Sequence, residues 1–178
     1  MLSATPLWGA IHVAIAFGFV LCVLGGLLAL TAGGALTARW ESALSWGALT
    51  VGILFFAGVA LVNGYVLHAL SAQVGTPEGA LVYRAFDDLL IGYGWLGNPL
   101  FLVGLTGLAF TELRYRTLGQ PRWLAAFGLA MALLSWLRGI GSASGLFFLE
   151  SFIYANVPAF LWLSSYGWRL ATLTRDAP

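Results

Sequence analysis

Long apolar runs separated by short polar joints dominate the chain, and their lengths set the first expectation. Residues 7–30, 46–70, 85–110, 122–138 and 146–170 each hold a mostly apolar run within or near the roughly 17–25 residues that a helix needs to cross hydrocarbon. The pattern predicts an all-α membrane bundle of five transmembrane helices, occupying residues 1–178 as a single domain. The first run enters from Thr5-Pro6 and leaves through Thr31-Ala32-Gly33-Gly34. No basic residue precedes it and it is too long for the core of a signal peptide, so it is expected to remain as a span. Thr76-Pro77-Glu78 has the form of a helix start, with threonine as N-cap and proline at the first helical position. A helix from there to Phe110 would be roughly 50 Å long, so residues 77–85 are expected at the interface. Arg138 to Gly145 is read as a flexible turn, and Pro99 and Pro158 as kinks within spans three and five.

Composition narrows the class. Of 178 residues, 60% are hydrophobic and 8% charged, whereas a soluble surface needs about a quarter of its residues charged. There is no lysine and the net charge is +1, so no basic patch for nucleic acid is available. The single cysteine, Cys22, excludes an internal disulfide and a cysteine-cluster metal site. Arg39, Arg114, Arg116, Arg122, Arg169 and Arg175 fall on one side of the five predicted spans, and Arg84 and Arg138 on the other. The positive-inside rule then places the N-terminus outside and the C-terminus in the cytoplasm of a multi-pass protein of the cell membrane, the bacterial inner membrane being the expected one.

The polar residues inside the apolar runs carry the candidate chemistry, because a helix needed only as an anchor has no use for them. Asp87, Ile91, Gly94 and Asn98 follow helical spacing and share one face. With this topology His12, His68, Asp87, Asp88, Arg138 and Glu150 gather near the outer membrane face. Asn63, Asn98 and Asn156 form a deeper layer, with Tyr65, Tyr93 and Tyr154 between. On an ideal helix Asn63 and His68 lie about 140° apart and point to different sides. Singly, each polar group has an ordinary reading as an interfacial or same-helix partner. The carboxylates Asp87 and Glu150, lying within spans, are expected to matter more than Glu41 and Glu112, which the pattern assigns to solvated loops.

Taken together these residues suit an outward polar cavity between spans two, three and five, holding an amphiphilic small molecule or lipid for transport or sensing. The ligand-contact set is Asn63, Tyr65, Asp87, Asp88, Tyr93, Asn98, Arg138, Glu150, Tyr154 and Asn156, with His12 and His68 at the mouth. Two alternatives use the histidines. In one, His12 and His68 with a carboxylate bind a divalent metal whose water attacks a substrate. In the other they are the axial ligands of a b-type haem between spans one and two. No HxxxH or HExxH pair is present, and neither a metal nor a haem is favoured as cofactor. Membrane lipids and a small amphiphile are the expected partners, and association into homo- or hetero-oligomers stays open.

The run GNPLFLVGLTGLAFTELRYRTLGQPRWLAAFGLAMALLSWL carries Tyr115-Arg116, then Pro121-Arg122-Trp123-Leu124 and Gly128. It resembles a pattern recurrent in uncharacterised small bacterial polytopic membrane proteins, in which an arginine-bearing loop precedes a helix start of this kind. The resemblance implies a membrane bundle and no particular activity or site.

Overall fold

The computed structural model of the protein describes residues 6–32 and 34–175. Among these residues there is no strand, and five long helices carry the fold. Helix α1 is Pro6–Ala32. Helix α2, Trp40–Leu61, continues through a π-helical turn at Val62–Leu67, a short α segment at His68–Leu70 and a 3₁₀ turn at Ser71–Gln73. Helix α3 is Pro77–Tyr115, helix α4 is Arg122–Ser144 and helix α5 is Asn156–Arg175.

Among the described residues four stretches are long and apolar enough to cross a membrane: Leu7–Thr31, Trp40–Gln73, Pro77–Tyr115 and Arg122–Gly141. Their outward surfaces agree with that environment. Leu7, Phe17, Leu28, Leu81 and Trp123 each expose more than 60% of their surface, a density of bare large apolar side chains that lipid accommodates and water does not. Helix α5 stands outside this set, its second half carrying Ser164, Ser165, Arg169 and Thr172.

The chain divides into two compact units, residues 1–27 with 50–100 and residues 28–49 with 101–178. In the first, α1 packs on the end of α2, and the middle of α2 packs on α3 through Tyr93, whose ring lies over Gly58 and 5.8 Å from that of Phe55. In the second, Phe101, Leu102, Leu105, Leu108, Ala132 and Trp162 form a fully buried core.

Several boundaries differ from the sequence expectation, each for a local reason. The predicted start of α3 holds: the Thr76 hydroxyl accepts from Gly79 N–H at 3.0 Å, and the helix runs unbroken from Pro77 through Pro99. The expected turn after Arg138 is instead helix, which places Arg138 within α4 rather than at its end. Gly145 stops it at φ 73°, and Leu146 N–H donates to Gly141 C=O at 3.0 Å. That is a left-handed glycine with a six-to-one backbone bond, the common way of closing a helix C-terminus. The fifth apolar run is divided as well. Residues Phe147–Ala155 form a 3₁₀ helix, and α5 begins only at Asn156. Pro158 therefore lies in the first turn, where its missing N–H leaves no bond unmade, and not mid-helix.

A polar seam at a π turn

In the first unit the apolar helices meet at a polar spot. His12 stands one turn after Trp8 on α1, their rings 4.3 Å apart. With its proton on Nδ1, the imidazole donates to the Trp8 carbonyl at 2.9 Å, leaving Nε2 as an acceptor. Asn63 Nδ2 faces that acceptor from α2 at 3.4 Å, a long and weak hydrogen bond. The helix backbones come close here. A side chain on Gly64 would collide with His12 Cβ, and a Cβ on Gly9 would stand 3.0 Å from the Gly64 carbonyl and 3.5 Å from the His68 ring.

The π turn makes this arrangement possible. Between Val62 and Leu67 the backbone follows the wider i→i+5 pattern, which stacks residues five apart instead of spreading them around the axis. Asn63 and His68 are five apart, and both address α1, one at His12 and the other at Gly9. The 140° separation of an ideal helix does not apply to them. Such turns inside α-helices recur at functional sites because they aim side chains that a regular helix would disperse. One further polar atom belongs to a seam residue: the Trp8 indole Nε1 is buried and, among the described residues, has no hydrogen-bond partner.

The other predicted site residues are distributed less tightly. Asn63, Tyr65, Asp87, Asp88, Tyr93, Asn98, His12 and His68 belong to the first unit, and Arg138, Glu150, Tyr154 and Asn156 to the second. Tyr93 and Gly97 face α2, where Gly97 meets Phe55 and the Gly52 carbonyl. Asp87, Ile91, Gly94 and Asn98 therefore lie roughly 100° further round α3, flanking the contact rather than filling it. Asp87 and Asn98 are half-buried and Asp88 is exposed. Tyr65 and Tyr154 are turned outward, 71% and 78% exposed, and do not line an interior passage. Asn156 and Arg138 are half-buried, and the Glu150 side chain lies outside the described residues. Among the described residues no three of His, Cys, Asp and Glu gather closely enough to hold a metal ion. At Gly9 and Gly64 the two helices are in close contact, and the Asn63 amide faces His12 Nε2, the nitrogen that an axial haem ligand would use.

The second unit holds a buried carboxylate that the sequence reading assigned to solvent. Glu112 is 1% exposed. Its Oε2 accepts from the Thr117 hydroxyl at 2.6 Å and from Leu118 N–H at 2.8 Å, and its Oε1 accepts from Gln120 N–H at 2.7 Å. The Tyr166 hydroxyl lies 3.2 Å from Thr117, and Arg169 Nε donates to Leu118 C=O at 3.1 Å. The chain can bend back onto its own carboxylate because Arg116 and Gly119 adopt φ of 53° and 66°. The Gln120 side-chain amide and the Trp162 indole N–H are buried nearby in sequence or packing without partners of their own. A signal was available: a carboxylate in the last turn of a helix opposes the macrodipole, so its presence there asks for another reason.

Comparison with protein-family models, with curated proteins and with solved structures finds no match to this chain.

Proposed function

We propose that the chain is a multi-pass membrane protein whose first unit binds an amphiphile or lipid by its polar head at the seam of Trp8, His12, Asn63 and His68. The observation that carries this reading is the buried Trp8 indole N–H without an acceptor, set beside a weakly bonded Asn63 amide at a π turn. A donor buried without a partner is unfavourable by about 1–3 kcal/mol, an expense that a bound acceptor oxygen removes. Both the indole and the amide are donors, so the favoured head group offers carbonyl or phosphate oxygens, while the surrounding apolar helix faces suit a hydrocarbon tail. Asp87, Tyr93 and Asn98 lie in the same unit and would tune access rather than hold the head.

Five spans, with the N-terminus outside and the arginine-rich end in the cytoplasm, complete the proposal. A cysteine placed at the exposed Ala38, in a Cys22→Ser background, should be labelled only from the cytoplasmic side of intact cells. Labelling from outside would invert the topology. For the ligand, wild type and Asn63→Leu are purified in mild detergent and the retained amphiphiles are extracted and weighed by mass spectrometry. About one equivalent of a single species in the wild type, lost in the variant, supports the seam as the site. Equal retention by both removes it. A Soret band or one equivalent of transition metal that disappears in a His12→Ala, His68→Ala double variant would support the haem or metal reading instead.

A further inference from the structure

The second unit gathers arginines at one end, and a repeated local pattern accompanies them. Three helices there each present an arginine next to a tryptophan: Arg39-Trp40 at the start of α2, Arg122-Trp123 at the start of α4, and Trp168-Arg169 about two turns before the end of α5. All three tryptophans are more than 70% exposed. The termini converge, since the Arg39 guanidinium lies 3.8 Å above the Tyr115 ring at the end of α3, and Arg169 donates to Leu118 in the turn that follows α3. Bare tryptophans toward the ends of membrane helices mark the level of the lipid interface, and arginines beside them reach the level of the phosphates.

The turn after α3 brings a further pair. Arg114 and Arg116 are exposed, and Arg116 is held in the left-handed region at φ 53°, where non-glycine residues are uncommon. Glu112 maintains that turn by accepting from Leu118 and Gln120 N–H. The carboxylate closest in sequence thus turns to the backbone and makes no ion pair with the arginines it positions. Among the described residues no carboxylate is paired with Arg114, Arg116 or Arg122.

We propose that this end of the second unit is a binding surface for the headgroup of an anionic phospholipid, with Arg114, Arg116 and Arg122 taking the phosphate and Trp40, Trp123 and Trp168 setting its depth. Guanidinium groups bind phosphate oxygens in pairs, and each arginine at an anionic surface strengthens binding by about fivefold. The surface lies in the other unit from the seam and does not depend on it.

The test titrates the detergent-purified full chain with phosphatidylglycerol, phosphatidylcholine and inorganic phosphate, reading bound lipid by native mass spectrometry and the unfolding midpoint in parallel. Phosphatidylglycerol should bind well above phosphatidylcholine. The variant Arg114→Gln, Arg116→Asn, Arg122→Gln should weaken it roughly a hundredfold, and Arg84→Gln with Arg138→Gln should leave it unchanged. Asparagine is chosen at 116 because it tolerates positive φ. Should the triple variant not fold, Arg114→Gln alone, an exposed helical position, is expected to weaken binding about fivefold. Equal binding of the two lipids, equal loss in the Arg84, Arg138 control, or an unaltered affinity in Arg114→Gln overturns the proposal. Inorganic phosphate that matches the lipid in affinity would assign the surface to a soluble anion and overturn the lipid assignment.

Discussion

The His12–Asn63 seam and the Glu112 turn are both polar sites among apolar helices, but they are satisfied to different degrees. The Glu112 carboxyl group is buried, and both its oxygens accept short hydrogen bonds from the backbone and a hydroxyl. The seam has a His12–Trp8 carbonyl bond, one long amide–imidazole contact and, among the described residues, no acceptor for the buried Trp8 indole N–H. A carboxylate whose two oxygens are both paired organises the chain around it, and a donor left without an acceptor where helices meet is suited to take one from outside. Burial alone does not separate the two roles. Completeness does, and it assigns structure to the carboxylate and binding to the less conspicuous amide.

The largest expected effect tests the structural side. Glu112→Ala strands the N–H groups of Leu118 and Gln120, each an unmade bond worth about 1–3 kcal/mol, so the unfolding midpoint in detergent should fall steeply. Asp87→Ala, at a half-buried carboxylate flanking the helix contact, should shift it far less. This order reverses the expectation from the sequence. A smaller effect of Glu112→Ala than of Asp87→Ala would break the comparison at its stronger end.

Gly64→Ala comes next. The added methyl collides with His12 Cβ, and forcing it in should lower stability by about 1–3 kcal/mol through displacement of α1. Retained amphiphile should be lost along with it. Wild-type stability would show that the seam is loose and that the close approach at Gly9 and Gly64 is unimportant.

Asn63→Leu separates binding from folding more cleanly. Interhelical amide bonds within membranes average about 0.6 kcal/mol, and this one is long, so chemical denaturation should move little while the bound amphiphile disappears. A large loss of stability with the ligand retained would exchange the roles of the two sites.

The smallest effect is expected at Gln120. Its side-chain amide is buried with no partner, and Gln120→Met keeps the shape and the backbone bond to Glu112 while removing the unpaired atoms. Such replacements are near neutral or slightly stabilising. A clear destabilisation, measured by the same thermal unfolding, would show that the amide has a partner in the folded protein and belongs to the Glu112 network.

The helical class, the four membrane-length apolar stretches, the Thr76-Pro77 start of α3 and the clustering of arginine on particular joints follow from the chain read alone. Each depends on residues within one or two turns of one another: apolar run length, a capping hydroxyl, a proline lacking a donor. Three features were decided only by tertiary structure. Glu112 looks solvated beside Arg114 and Arg116, and it is buried because Arg116 and Gly119 reverse the chain and return the N–H groups of residues 118 and 120 to it. Asn63 and His68 look divergent, and they address the same neighbour because the π turn between them changes the angular step along the helix. The apolar run from residue 146 looks like one span, and it is divided at Asn156, its first nine helical residues wound as 3₁₀ where Leu149 packs against Gly141 of α4. In each case local propensity permits two outcomes. Contacts many residues distant select between them.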